Sequence, residues 1–125
     1  MGVVLLVPLI DIIDDDDAVR DSMHALLDSY GYLVREHCSA QSFFAQSGQK
    51  PDCLLVDYHM PGMTGLELLE RLRESGDQTP ALMITGRSDP TIEPRAAALA
   101  ITLMHKPVDE SRLVLWIETA GRGRT

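Results

Sequence analysis

This chain of 125 residues has only two cysteines. Cys38 and Cys53 match neither a zinc spacing nor a disulfide scaffold, so both are expected to be reduced thiols in a cytosolic protein, with Cys53 in the core. Basic residues are also scarce: 11 Lys and Arg stand against 19 Asp and Glu, a formal net charge of -8. A surface that grips nucleic acid needs clustered cations, so any DNA contact is expected from another domain. Long apolar runs are missing as well. The best candidate, Val3 to Ile13, lacks the positive flank of a signal peptide, is interrupted by Pro8, and is ended by Asp11 well short of a membrane span. Neither export nor membrane contact is expected. Residues 1–8 are set apart as an N-terminal extension, native or left by cloning, and 121–125 as a polar, basic tail or the start of a linker.

What is present suffices for one domain, expected over residues 9–120. Hydrophobic residues make up 45% of the chain, enough to bury a real core, so disorder is excluded. Strand and helix patterns alternate along it. Leu9–Ile13 reads as a buried strand, followed at once by Asp14, Asp15, Asp16 and Asp17. Val19, Met23, Leu26, Leu27 and Tyr30 then fall on one helical stripe, with Asp16 or Asp17 as N-cap and Gly31 as the stop. Tyr32–Glu36 reads as a short strand, and Ser39 caps a weaker helix carrying Ala40, Phe43 and Phe44. Gly65–Glu74 forms a third helix, Ala81–Thr85 a strand, and Ile101–His105 another. Asp109 or Ser111 opens a last helix with Leu113, Trp116, Ile117 and Ala120 inward. Between Arg87 and Ala100, Pro90 and Pro94 cannot share one regular helix, so an irregular loop and a short helix starting near Pro94 are expected. The four histidines are expected at the surface or the rim, His37 in a loop and His24 on the first helix.

The fold that follows is α/β: a doubly wound, five-stranded parallel sheet with helices on both faces, in the flavodoxin-like order 2-1-3-4-5. That order opens a crevice between the first and third strands. The third strand is the stretch on which the chain turns, CLLVDYHMPGMTG from Cys53 to Gly65. It opens with a run suited to burial on both faces and ends in Asp57, followed by a loop with Pro61, Gly62 and Gly65. An acid at the carboxyl end of an interior strand stands where open α/β sheets put their chemistry, and Asp57 reads as a covalent phosphoryl acceptor.

Asp14 and Asp15 should meet Asp57 at the same mouth. Crowded carboxylates raise one another's pKa unless a cation is present, so their convergence points to a hard divalent metal, best Mg²⁺. A phosphoryl group in transfer also needs a hydroxyl or N–H on one oxygen and a cation on another. Thr85 and Lys106, each at a strand end on the same rim, are those residue types. Taken singly, each of these residues is more often structural than functional; their joint occurrence at four strand ends makes the case.

Asp14-Asp15, Asp57 with MPGMTG after it, Thr85-Gly86 and Lys106-Pro107 together resemble the receiver domain of bacterial two-component response regulators, from about Leu9 to Ala120. IIDDDDAVRDSM, SAQSFFA and KPVDESRL are most similar to receivers followed by a LuxR-type DNA-binding domain. The resemblance implies a phosphoryl group taken from a phosphohistidine on a sensor histidine kinase, a requirement for Mg²⁺, and self-catalysed hydrolysis: a signalling domain, not an enzyme. It implies that Asp15 binds the metal directly, Asp14 through water, and the His59 backbone carbonyl as a further ligand. Thr85 becomes the switch hydroxyl and Lys106 the ion-pair partner of the phosphate. It further implies a cytoplasmic location and homodimerisation on phosphorylation, and leaves open a free-standing protein or the front half of a longer regulator with a DNA-binding output domain beyond residue 125.

The chain departs from the family at Leu103, where receivers place an aromatic, at Leu99, where they place a small residue, and in a segment between Thr85 and Lys106 that is one residue short. None of these is a site residue, so the chemistry is expected to stand and the face of the fourth helix, fifth strand and fifth helix to be remodelled. Three other readings compete. A haloacid-dehalogenase-like Mg²⁺-dependent phosphatase would want an Asp where His59 stands, and a structural Ca²⁺ site would want the spaced acids and glycine of an EF-hand loop. A degenerate receiver would act as a binding module without phosphorylation.

Overall fold

A computed structural model describes residues 7–122. Residues 1–6 of the expected extension 1–8 and 123–125 of the expected tail 121–125 lie outside the described residues, while residues 121 and 122 continue the last helix and do not begin the tail. The element order is β1 (Leu9–Ile13), α1 (Asp17–Ser29), β2 (Leu33–His37), α2 (Ala40–Ala45), β3 (Cys53–Asp57), α3 (Gly65–Glu74), β4 (Ala81–Thr85), α4 (Ile92–Ala98), β5 (Thr102–His105) and α5 (Glu110–Arg122). All strand pairings are parallel, in the order β2-β1-β3-β4-β5.

Caps set where four of the helices begin. Asp16 accepts the Val19 N–H at 3.0 Å, Ser39 that of Ser42 at 3.0 Å, and Asp109 that of Arg112 at 3.0 Å. Thr64 and Glu67 satisfy each other's backbone N–H reciprocally, at 3.1 and 3.0 Å. The fourth helix has no side-chain cap; Pro94 stands in its first turn, where a missing N–H leaves no bond unmade. The helix is seven residues long and begins at Ile92, between the two prolines.

Side chains alternate across the strands, and the two faces bury two separate cores. On one face α1 and α5 bring Leu27, Leu113 and Ile117 against Ile10, Ile12 and Leu55. On the other, α2, α3 and α4 bring Phe43, Leu69 and Ile92 against Leu54, Val56 and Met83. Each fully buried Leu or Ile contributes about 1.5–3 kcal/mol, and β1, β3 and β4 are buried at every position.

Several expectations are corrected. β2 begins at Leu33 instead of Tyr32, and β5 at Thr102 instead of Ile101. His37 is not a loop or rim residue: it ends β2, is buried, and stands 3.3 Å from the carboxylate of Asp11. Asp11 itself, fully buried in β1, accepts bonds from Arg35 at 2.8 and 3.1 Å and from Gln46 at 2.7 Å. Paired acids can live in a core strand, and this one ties β1, β2 and the end of α2 together. Trp116 is not core but its margin, because its indole N–H needs an acceptor and finds the Thr102 hydroxyl at 3.0 Å on the edge strand. Val19, Tyr30 and Phe44 share the apolar spacing yet are exposed; Tyr30 stacks on Tyr32, and Phe44 lies beneath the Arg71 guanidinium.

Candidate functional site

β1 pairs with β2 on one side and β3 on the other, so the direction of winding reverses between β1 and β3 and their carboxyl ends open a crevice. Asp14 and Asp15 leave β1 into that crevice, and Asp57 closes β3 beside them. Carboxylate oxygens of the three residues lie within 4.8 Å of one another. Asp14 and Asp57 are buried, whereas Asp15 is exposed at the mouth.

The acidic loop is held from several sides. The Asp14 N–H donates to the His37 carbonyl at 3.0 Å, continuing the β1–β2 ladder by one residue, and its Oδ1 accepts the Asp16 N–H at 2.9 Å. On the other strand, the Tyr58 N–H donates to the Ile84 carbonyl at 2.8 Å and the Gly65 N–H to the Tyr58 carbonyl at 3.0 Å, which folds the loop back and sets α3 against Asp57. Sequence reasoning missed what Gly65 does here. A Cβ at that position would collide with the Asp57 carbonyl. The available signal was a glycine, a poor helix former, at the first position of a well-capped helix.

Charge in the crevice is unbalanced toward the acids. Burial pushes the Asp14 carboxyl up, and the neighbouring Asp57 and Asp15 charges add to it, against the bond from Asp16. Burial also pushes Asp57 up, with Asp15 adding, although Lys106 opposes both. Lys106 Nζ stands 3.0 Å from Asp57 Oδ1. Through that contact Lys106 opposes the rise of the Asp57 carboxyl. Burial would lower the Lys106 ammonium, but Asp57 beside it, helped by Asp14 and Asp16, outweighs this and raises it.

Three converging carboxylates, two of them buried, fit a small hard cation such as Mg²⁺, which takes carboxylates and keeps several waters. Thr85 ends β4 on the same rim, buried, its hydroxyl held by the backbone of Arg87 at 3.2 Å as both donor and acceptor. Its carbonyl accepts the Lys106 N–H at 2.9 Å, which fixes the two strand ends to each other. His59 is exposed, with its ring edge-on to Tyr58. The structure therefore gathers Asp14, Asp15, Asp57 and Lys106 in one cluster and sets Thr85 on the adjacent strand end.

The family model for the response regulator receiver domain matches residues 10–118. The transcriptional regulatory protein FixJ of Bradyrhizobium diazoefficiens is 40% identical over 113 residues, covering 89% of this chain and 55% of that protein. The response regulator protein TmoT of Ectopseudomonas mendocina is 38% identical over 114 residues, covering 90% of this chain and 52% of that protein. The chain thus spans about half the length of the curated relatives it matches. Among solved structures, FixJ-N superposes with a TM-score of 0.85 at 28% identity, covering 97% of this chain and 98% of that one. A CheY-like receiver domain protein of Methanospirillum hungatei superposes at 0.86 with 26% identity, covering 94% and 96%. With the winding order, the acid-lined crevice and a family match running from β1 into α5 all in agreement, the chain belongs to the response regulator receiver domains of two-component signal transduction.

Proposed function

We propose that Asp57 accepts a phosphoryl group from a phosphohistidine on a sensor histidine kinase, with Mg²⁺ held by Asp14, Asp15, Asp57 and the backbone carbonyl of His59. The observation that carries this is the meeting of three carboxylates from two distant strand ends with the Lys106 ammonium 3.0 Å from Asp57. An Asp57 carboxylate oxygen forms the new O–P bond as the N–P bond breaks, and the imidazole leaves with its electron pair. Bound there, magnesium would draw charge from a phosphoryl oxygen and relieve the repulsion between the anion and the acids. Lys106 sits at the carboxylate's flank, where it can pair with a second phosphoryl oxygen. The Thr85 hydroxyl, held by two long 3.2 Å contacts to the Arg87 backbone, can turn to the third.

The domain in this reading is residues 9–120, a signalling unit that assists its own phosphorylation and hydrolysis and acts on no external substrate. Its output is a DNA-binding domain of the LuxR type beyond residue 125, with dimerisation on phosphorylation, in the cytoplasm; the name transcriptional regulatory protein borne by the FixJ relatives supports the transcriptional part of this reading. Incubation with acetyl phosphate or a phosphoramidate and Mg²⁺ is expected to add one phosphoryl mass to the chain and none to Asp57→Asn. No gain in either protein would favour a binding module that works without phosphorylation.

A further inference from the structure

Four consecutive acids follow β1, yet the metal-competent cluster takes only Asp14 and Asp15 from them. The other two are occupied. Asp16 caps α1 through the Val19 N–H, and Asp17 is ion-paired to Arg20 Nη2 at 2.6 Å. Arg20 does more than pair with Asp17. Its Nη1 donates to the backbone carbonyl of Asp14 at 2.8 Å, and its Nε to Glu36 Oε1 on β2 at 3.1 Å. Glu36 is itself held by the His24 ring at 2.6 Å. A guanidinium fixed at three points is a rigid fork, and this one is only 13% exposed, unlike an ordinary surface ion pair.

We propose that Arg20 is the positioning residue of the metal-binding loop: it pins the Asp14 peptide and draws the Asp17 carboxylate away, so that Asp14 and Asp15 alone face Asp57. This rests on the magnesium reading above. The Asp14 peptide is gripped from both sides, its N–H by the His37 carbonyl and its C=O by Arg20, and Glu36 aims the guanidinium from the sheet. Without the fork, the C=O grip is gone and four mutually repelling acids share one loop.

Charge and position predict opposite signs, which makes the inference testable. As a bare charge, Arg20 repels a divalent cation, so its removal should tighten Mg²⁺ binding; as a positioning group, its removal should loosen it. Mg²⁺ is titrated into the full chain and Arg20→Met, followed by calorimetry and by the Mg²⁺ dependence of acetyl phosphate labelling. The Mg²⁺ concentration for half-saturation is expected to rise roughly ten-fold in Arg20→Met, with the labelling rate at saturating Mg²⁺ close to that of the unaltered chain. Equal or tighter binding overturns the inference. Should Arg20→Met fail to fold by circular dichroism, Arg20→Lys decides: it keeps the charge and loses the fork, weaker binding supports positioning, and unchanged binding overturns it. An unaltered chain that binds no Mg²⁺ overturns the magnesium reading itself, a different failure from equal affinities in chain and variant.

Discussion

The Cα of Gly65 packs so closely on the carbonyl of Asp57 that no side chain, not even a methyl group, fits between the start of α3 and the end of β3. The acceptor strand and the helix behind it are thereby locked at one distance. Gly65→Ala must part them, and overpacking of this kind costs about 1–3 kcal/mol. Urea denaturation is expected to show that loss, and mass spectrometry a lower phosphoryl yield on Asp57. Unchanged stability and yield would mean that α3 does not hold the acceptor in place.

Asp11 governs the acid side of the stability curve. Burial alone would raise its carboxyl, but the bonds from His37, Arg35 and Gln46 together outweigh burial and hold it below the usual carboxylate range. A lowered folded-state pKa gives stability that is full above the unfolded value and lost as pH falls through the folded one. Asp11→Ala should therefore cost roughly 3 kcal/mol at neutral pH and flatten the acid limb of stability against pH. An acid limb identical in the two proteins would assign acid unfolding to other groups.

Asp14 and Asp57 carry the opposite sign. Their carboxyls are raised, chiefly by burial, so without metal the folded state holds their protons more tightly than the unfolded chain does. Metal-free stability is expected to decline as pH rises from the ordinary carboxylate range through these raised values, and saturating Mg²⁺ to remove the decline. At a free Mg²⁺ concentration about 100 times the dissociation constant, the gain should be about 2.7 kcal/mol, read as a rise in melting temperature. A melting curve indifferent to Mg²⁺ at neutral pH would rule out a shared cation.

Asp15 and Lys106 should separate in a metal titration. Asp15→Asn removes a charged oxygen donor and is expected to weaken Mg²⁺ binding. Lys106→Ala removes a cation from the same pocket and is expected to leave binding equal or tighter while impairing the response to phosphorylation. Identical titrations of the two variants would mean that their assigned roles are wrong.

Ala100 is the one non-glycine residue with positive φ among the described residues, at 55°, in the turn between α4 and β5. L-residues avoid that region because Cβ crowds the following carbonyl. Ala100→Gly is expected to stabilise the fold by about 0.5–1 kcal/mol after the added flexibility of the unfolded chain is counted. Differential scanning calorimetry should show the rise; a fall would mean that the methyl group makes a contact worth more than the strain.

The order of strands and helices, the cap at Ser39, those at Asp16 and Asp109 as one of two candidates each, and the placing of Asp14, Asp15, Asp57, Thr85 and Lys106 at strand ends were legible in the chain, because period, caps and turn residues act over a few neighbours; the capping box of Thr64 and Glu67 was not read from it. Burial of His37 and exposure of Val19 and Phe44 were not, since each depends on what another element lays over it. The same holds for Asp11, whose charge is tolerable in a core strand only because β2 supplies Arg35 and α2 ends in Gln46. Local sequence by itself thus determined which segments form and which acids stand at the sheet's carboxyl edge. Only the packed structure decided what holds the acidic loop, because the grip on the Asp14 backbone comes from Arg20 on α1 and His37 on β2, with Glu36 of β2 bonded to the same guanidinium, and those partners meet only once α1 lies against the sheet.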